Sequence, residues 1–276
     1  SRAGSINAIA ESLTNIVWAP LENGLTSVSL SANWMWPCNN AGEDARLYEA
    51  VEACSDFAIA LGINIPTGKD SLSMKQKYKD QEVKAPGTVI ISAAGACSDV
   101  SNIITPVLKS NGGSLYYIDL SKDEFHLGGS SFAQIRNAIG TEVPSVKDAA
   151  YFNIAFNKVQ DLIKLNKINA GHDIGSGGLI TSLIELCFPS LGIGLDIDLS
   201  ALGEQDTARV LFSEKIGILV QSNENLTEYF DSAGIKCIKL GSVKTEATLS
   251  LKNHEFNSDF SIDELRRTWY KTSALL

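Results

Sequence analysis

The stretch "GHDIGSGGLITSLIELC", residues 171–187, is where the reading of this chain turns. A histidine and an aspartate are followed by Gly175, Gly177 and Gly178, and then by a run of leucines and isoleucines. The pattern predicts a glycine loop leading into a helix that begins near Leu179. Backbone N–H groups at such a helix start attract anions. Asp173 is suited to a hard cation, because carboxylate oxygens are the ligands magnesium takes. On pattern alone, an ordinary glycine loop with a capping aspartate accounts for the same residues and is the stronger reading.

Downstream of this loop, "LDIDLSAL" (195–202), "KIGILVQ" (215–221), "IKCIKLGSV" (235–243) and "ATLSL" (247–251) read as short strands. Upstream, "YFNIAFNKVQDLIKL" (151–165) puts Phe152, Phe156, Val159 and Ile163 on one helical face. "LGGSSFAQIRNAIG" (127–140) reads as a glycine turn feeding a helix, and "SLYYIDL" (114–120) as a strand. Residues 98–113 carry polar residues, a proline and a glycine pair, which predicts a domain boundary there.

Before that boundary, Ile6, Ile9, Leu13 and Ile16 form one apolar stripe, and Glu11 and Asn15 lie four apart on the opposite face. A strand "TSVSLSA" follows, and a loop with Trp34 and Trp36 that reads as packing rather than a stacking platform. Glu43 to Leu61 reads as an amphipathic helix on Leu47, Val51, Cys54, Ala58 and Leu61, stopped by Gly62. "TVIISAAGAC" (88–97) reads as a buried strand after a charged strip at 75–84. Helix and strand mix without strict βαβ alternation, so the fold class is α+β.

In "IPTGKDSLSMK" (65–75), Asp70 separates Lys69 from Ser71 and no earlier glycine stands where a Walker A loop needs one. Gly68 still permits close backbone approach, and Lys69 and Ser71 are hydrogen-bond donors for an anion. On spacing alone, a glycine turn with a surface lysine is the stronger reading. His126 and His254 read as surface residues.

Composition narrows the function classes. The chain has 276 residues, 44% of them hydrophobic, 20% charged, with a net charge of −9. That balance gives a nucleic-acid backbone no basic stripe to bind. It leaves room for a small phosphorylated ligand, which needs only local donors. No apolar run reaches membrane-spanning length and no secretory pattern opens the chain. The five cysteines form no CxxC pair, which predicts reduced, mostly buried thiols and a cytoplasmic protein.

Taken together, "ESLTN" (11–15), "LSANWM" (30–35), "GEDARLYEAV" (42–51), "IPTGKDSLSMK" (65–75), "LGGSSFAQ" (127–134), "HDIGSGGL" (172–179) and "GLDIDLSALG" (194–203) occur in this order. In that order they resemble the large, single-chain phosphoribosylformylglycinamidine synthases of purine biosynthesis. "LRRTWYKTSALL" (265–276) resembles the segment before the glutaminase domain of that family.

The resemblance implies an aminoimidazole ribonucleotide synthetase-like (PurM-like) fold. Residues 1–108 would be an N-terminal-type domain without its first strands, and 109–276 a complete C-terminal-type α/β domain. Together they would form the second such unit of the synthase core. It implies an ATP- and glutamine-dependent ligase that converts formylglycinamide ribonucleotide to the amidine. The first synthase half and the glutaminase domain of the parent chain would be its partners.

By the same resemblance, Gly68, Lys69 and Ser71 meet the substrate ribonucleotide's phosphate. Gly175, Gly177 and Gly178 meet nucleotide, and Glu11, Asn15 and Asp173 hold magnesium at an auxiliary ADP site. The chain departs from the family at Ala10, where glycine is usual, and at Ile174, Gly175 and Ser176, which replace Arg-Ser-Asp. The alternatives are a nucleotide-binding scaffold module, or another ATP-using member of the same superfamily.

Overall fold

A computed structural model describes residues 1–275. Leu276, the end of the closing segment and of the 109–276 unit, lies outside the described residues.

In chain order the elements are α1 (Arg2–Ile16), β1 (Val28–Met35), α2 (Glu43–Leu61), β2 (Asn64–Ser71), β3 (Lys75–Tyr78), β4 (Gln81–Lys84) and β5 (Thr88–Gly95). There follow β6 (Ser114–Asp119), α3 (Ser131–Ile135), α4 (Ala149–Lys164), β7 (Ala170–Asp173), α5 (Gly178–Cys187), β8 (Gly194–Asp198) and α6 (Thr207–Phe212). The chain continues through β9 (Gly217–Ser222), α7 (Leu226–Asp231), β10 (Cys237–Lys244), β11 (Thr248–Asn253), β12 (Phe256–Ser261) and α8 (Ile262–Tyr270).

Two sheets organise them. The smaller has the order β2-β1-β5, with β1 parallel to β2 and antiparallel to β5. The larger has seven strands in the order β12-β11-β8-β10-β6-β9-β7. Within it β11 and β8 run parallel and the other pairs antiparallel. The strip at 75–84 is a β3–β4 hairpin.

Alternation along β6 and β9 buries both faces of the large sheet. Ile118, Ile218 and Val220 join a core with Phe152, Phe156 and Val159 of α4, Ile9 and Leu13 of α1, and Phe57 and Leu61 of α2. Leu115, Tyr117 and Leu219 join a second core with Leu179, Leu183 and Leu186 of α5. The first core therefore runs without a break from the small sheet's helices to the large sheet. Buried Gln160 fixes the same junction: its Oε1 accepts the Leu21 N–H, and its Nε2 donates to the Val17 and Ala19 carbonyls.

Several expectations need correction. β5 is not a buried strand: it is an edge strand of a small sheet, and Ile90 is 51% exposed. The α2 stripe is rotated, because Ala50, Ala53 and Phe57 face the core while Val51 is exposed. Small alanines let α2 approach α1 closely, which outweighs the larger apolar side chains. The helix after "LGGSS" lasts only for Ser131–Ile135. His126 is packed between Asp123 and Glu142, with its ring nitrogens 3.6 Å from each carboxylate. Trp34 and Trp36 are buried, as packing requires, and all five cysteines are free. Among the described residues no helix is long and apolar enough to cross a membrane.

Candidate functional site

α1 presents Asn7 and Glu11, one turn apart, to a cleft of about 240 Å3. Gly128, Gly129, Val143 and Pro144 form a second wall, and Ile174, Gly175, Ser176, Glu214 and Ile216 a third. The predicted glycine loop is thus divided: 170–173 is the edge strand β7, 174–177 crosses the cleft, and α5 starts at Gly178. A side-chain carbon on Gly175 would lie 3.8 Å from both Asp173 Oδ2 and Glu11 Oε1. Gly175 is therefore flanked by the two carboxylates that the resemblance places at one metal.

Their electrostatics follow from that placement. Glu11 is held above its ordinary pKa, first by partial burial and then by the charges of Asp173 and Glu214. Asp173 is raised too, by burial, against the opposing pull of His172. Burial works against a charged His172, but its contact with Glu185 and the Asp173 carbonyl raise it on balance. Among the described residues no lysine or arginine lines the cleft. Among the described residues no three His, Cys, Asp or Glu side chains are close enough to hold a metal by themselves. Glu11 in the cleft with Asp173 beside Gly175 nevertheless fits magnesium, which takes one or two carboxylates and completes its shell with phosphate oxygens and water.

The remaining predicted residues sit differently. Asn15 is exposed, one turn beyond Glu11, and its Nδ2 donates to the Glu11 carbonyl at 2.8 Å. Gly177 donates its N–H to Glu214 Oε1 at 2.9 Å, and Gly178 donates to the Gly175 carbonyl at 3.0 Å. Gly178 also packs on the end of α6, where a side-chain carbon would stand 2.7 Å from the Leu211 carbonyl oxygen. Gly68, Lys69 and Ser71 lie outside the cleft lining. They are not a loop but the end of edge strand β2, paired with Ala32, Asn33 and Met35 of β1. Gly68 is needed there because a side-chain carbon would meet the Ala32 carbonyl oxygen at 2.1 Å. Lys69 Nζ donates to Ser71 Oγ at 2.7 Å on the exposed strand.

Comparison with known proteins matches residues 1–96 to the model described as the FGAR-AT PurM_N-like domain. Residues 111–252, just over half of the chain, match the AIR synthase related protein, C-terminal domain. This chain belongs to the AIR synthase-related family. A probable phosphoribosylformylglycinamidine synthase of Arabidopsis thaliana is 41% identical over 79% of the chain, and the Homo sapiens phosphoribosylformylglycinamidine synthase 34% over 98%. The chain spans only 16% and 21% of those two proteins. Among solved structures, T. maritima PurL complexed with ATP superposes with a TM-score of 0.69 at 11% identity, covering 96% of this chain and 41% of that one. E. coli HypE, a hydrogenase maturation protein, gives 0.62 at 16% identity, covering 94% and 79%. These two likenesses show the PurM-like α+β fold.

Within this AIR synthase-related fold, sequence reasoning missed two cleft residues. Asn7 was legible: it continues the four-residue spacing of Glu11 and Asn15 by one turn. Its Nδ2 donates to the Pro144 carbonyl at 2.7 Å, and its Oδ1 is buried without a partner. Glu214 had no signal, because it stands alone in the turn between α6 and β9.

Proposed function

We propose that this chain is the second synthetase-like half of the synthase core of a phosphoribosylformylglycinamidine synthase. The parent enzyme would be a cytoplasmic ligase that uses ATP and glutamine to convert formylglycinamide ribonucleotide to its amidine. The observation that carries the site reading is that Glu11, in the cleft, and Asp173, beside it, flank Gly175, and that no cationic side chain is among the described residues that line the cleft. Such a wall repels a bare nucleotide and accepts one that arrives with a divalent cation.

Glu11 and Asp173 would hold magnesium, and Asn15 would join by releasing the Glu11 carbonyl. The Gly175–Gly178 segment would approach the nucleotide phosphates, and Asn7 would offer its free Oδ1 to a donor on the ligand. When bound, the magnesium nucleotide supplies the positive charge that the wall lacks. One observation favours a second reading, a nucleotide held for structure rather than turnover: phosphoryl transfer is sustained by cationic groups, and the lining residues include none.

T. maritima PurL has been solved with ATP and with FGAR, which supports both ligand classes. The exposed Gly68–Lys69–Ser71 strand end would serve the ribonucleotide, whose phosphate it meets beside the first synthase half. In the full-length parent, Lys69→Ala and Ser71→Ala each weaken ribonucleotide binding by about 1–3 kcal/mol, the worth of one charge-assisted hydrogen bond. Steady-state kinetics check this, and unchanged substrate KM in both variants returns the strand end to a structural role.

Assayed alone with the ribonucleotide, ATP and ammonium salt, the 276-residue chain forms no amidine. The full-length parent does so with glutamine. Turnover by the isolated chain, or none by the parent, overturns the assignment to half of a synthase core.

A further inference from the structure

A second cavity, of about 530 Å3, opens at one end of the large sheet. Antiparallel pairing brings the end of β6 beside the starts of β9 and β10. Asp119, Lys215 and Lys236 converge there, joined by Tyr151 from the first turn of α4. The chain at 214–216 divides the two cavities: Glu214 and Ile216 line the cleft described above, and Lys215 lines this one. Tyr151, Lys215 and Lys236 lie outside every motif that carries the family resemblance.

The donors of this cavity outnumber their acceptors. Tyr151 and Lys215 are each more than nine-tenths buried. The Tyr151 oxygen accepts the Lys236 N–H at 2.9 Å, and among the described residues its own O–H has no acceptor. Burial, with the Asp119 charge behind it, pushes that phenol up to about 12, so it keeps its proton. Lys215 Nζ spends one N–H on Asp119 Oδ2 at 2.7 Å and stands 4.7 Å from the centre of the Phe125 ring. Lys236 Nζ donates to the Leu202 carbonyl at 3.1 Å and, among the described residues, has no carboxylate partner.

The carboxylates that line the cavity are engaged elsewhere or exposed. Asp119 Oδ1 accepts the Ser121 N–H, the Ser121 hydroxyl and the Lys122 N–H. Asp123 accepts the Ser145 N–H and pairs with Lys147. Glu204 accepts the Asp206 N–H, and Glu124 is exposed. The imbalance shows at Lys236, whose amine is held below its usual pKa by burial and then by the Lys215 ammonium. An ammonium has three N–H donors and no acceptor, and its strong partners are carboxylate and phosphate oxygens. A cavity of this size suits a small molecule.

We propose that this cavity is a second ligand site, which holds a small molecule by an oxyanion, phosphate or carboxylate, through Tyr151, Lys215 and Lys236. It takes the anion directly, without the divalent cation that the cleft requires. The site rests on no part of the nucleotide reading.

Acetylation of Lys236 in the full-length parent tests it, read residue by residue by mass spectrometry, with magnesium chelated and ionic strength held constant with chloride. In the wild type, inorganic phosphate or succinate at about 10 mM slows Lys236 roughly tenfold, as a Kd of about 1 mM requires. Exposed Lys164 reacts as before. Protection by phosphate alone assigns a phosphorylated ligand, and protection by succinate alone a carboxylated one. Protection by neither overturns the site.

Two variants place the anion. Tyr151→Phe removes the unspent O–H and raises the anion concentration needed for half protection by roughly fivefold, the worth of one hydrogen bond. Asp119→Asn with Lys215→Met removes the buried pair without leaving a lone charge, and protection is lost. Wild-type protection in both variants overturns the site, because the anion then acts from elsewhere. Should the double variant unfold, an unchanged concentration dependence in Tyr151→Phe overturns it.

Discussion

Replacing Phe152 by alanine lowers the unfolding free energy by about 3–5 kcal/mol, the range for truncating a fully buried aromatic side chain. Phe152 is 0% exposed. Its ring stands edge-on to Phe57 at 6.0 Å and stacks near Phe156 at 6.2 Å. Phe57 belongs to α2 and Phe152 to α4, so the lost ring opens a cavity where the two predicted units meet. The core continues on both sides of that junction, into Ile9 and Leu13 of α1 and into Ile218 and Val220 of β9. Unfolding of the chain in urea is therefore one transition, followed equally by tryptophan fluorescence and by helical circular dichroism. Phe152→Ala shifts its midpoint and leaves its slope unchanged. A loss below about 1 kcal/mol, or two separated transitions in the wild type, shows that the units do not share this core. Val51→Ala on the exposed side of α2 serves as the control and stays within about 0.5 kcal/mol.

The expected behaviour of Phe152 was legible in the sequence, because α4 keeps its apolar residues at strict helical spacing and Asp148 caps it through the Tyr151 N–H. The α2 boundaries were legible too, since Gly62 takes the left-handed conformation that ends a helix. What the pattern could not give was the partner of each face. Val51 and Ala53 both lie on helical stripes, and only the approach of α1 decides that the alanine goes inward. Strands β2 and β7 were hidden because "NIPTGKDS" and "AGHD" carry proline, glycine and charge, which strands disfavour. β2 tolerates them as an edge strand, paired with β1 alone. Glu11 and Asp173 could be named from motifs, but their placement on either side of Gly175 depends on the chain just after α1 packing on β7. The Trp18 ring fits against Gly171 at this point, where a side-chain carbon would stand 2.0 Å from the indole. Glu214 acts through an oxygen aimed at backbone groups of two distant loops, and no local spacing encodes that.

Asp173→Asn and Glu11→Gln each abolish most of the magnesium-supported nucleotide binding in the full-length parent. The expected loss is about 100-fold, or about 2.7 kcal/mol, because a hard cation that binds one or two carboxylates loses half of its anionic ligands. Asn15→Ala costs about tenfold at most, since its amide must first leave the Glu11 carbonyl. The pH dependence has a definite sign. Both carboxylates are held above their ordinary values, so without metal their protonated forms favour the fold. That stabilisation is complete below the ordinary carboxylate pKa and is lost as the pH rises through the raised one. Metal binding runs the other way, because its ligands must be ionised. Magnesium-dependent nucleotide affinity therefore falls on acidification at a higher pH than ordinary carboxylates would set, and the binding step releases protons. In Asp173→Asn that acidic limb shifts downward, since one charge that raises Glu11 is gone. Isothermal calorimetry in two buffers of different ionisation enthalpy measures affinity and proton release together. Wild-type affinity in both single variants, or wild-type binding with no protons released across the acidic limb, removes Glu11 and Asp173 from the metal site.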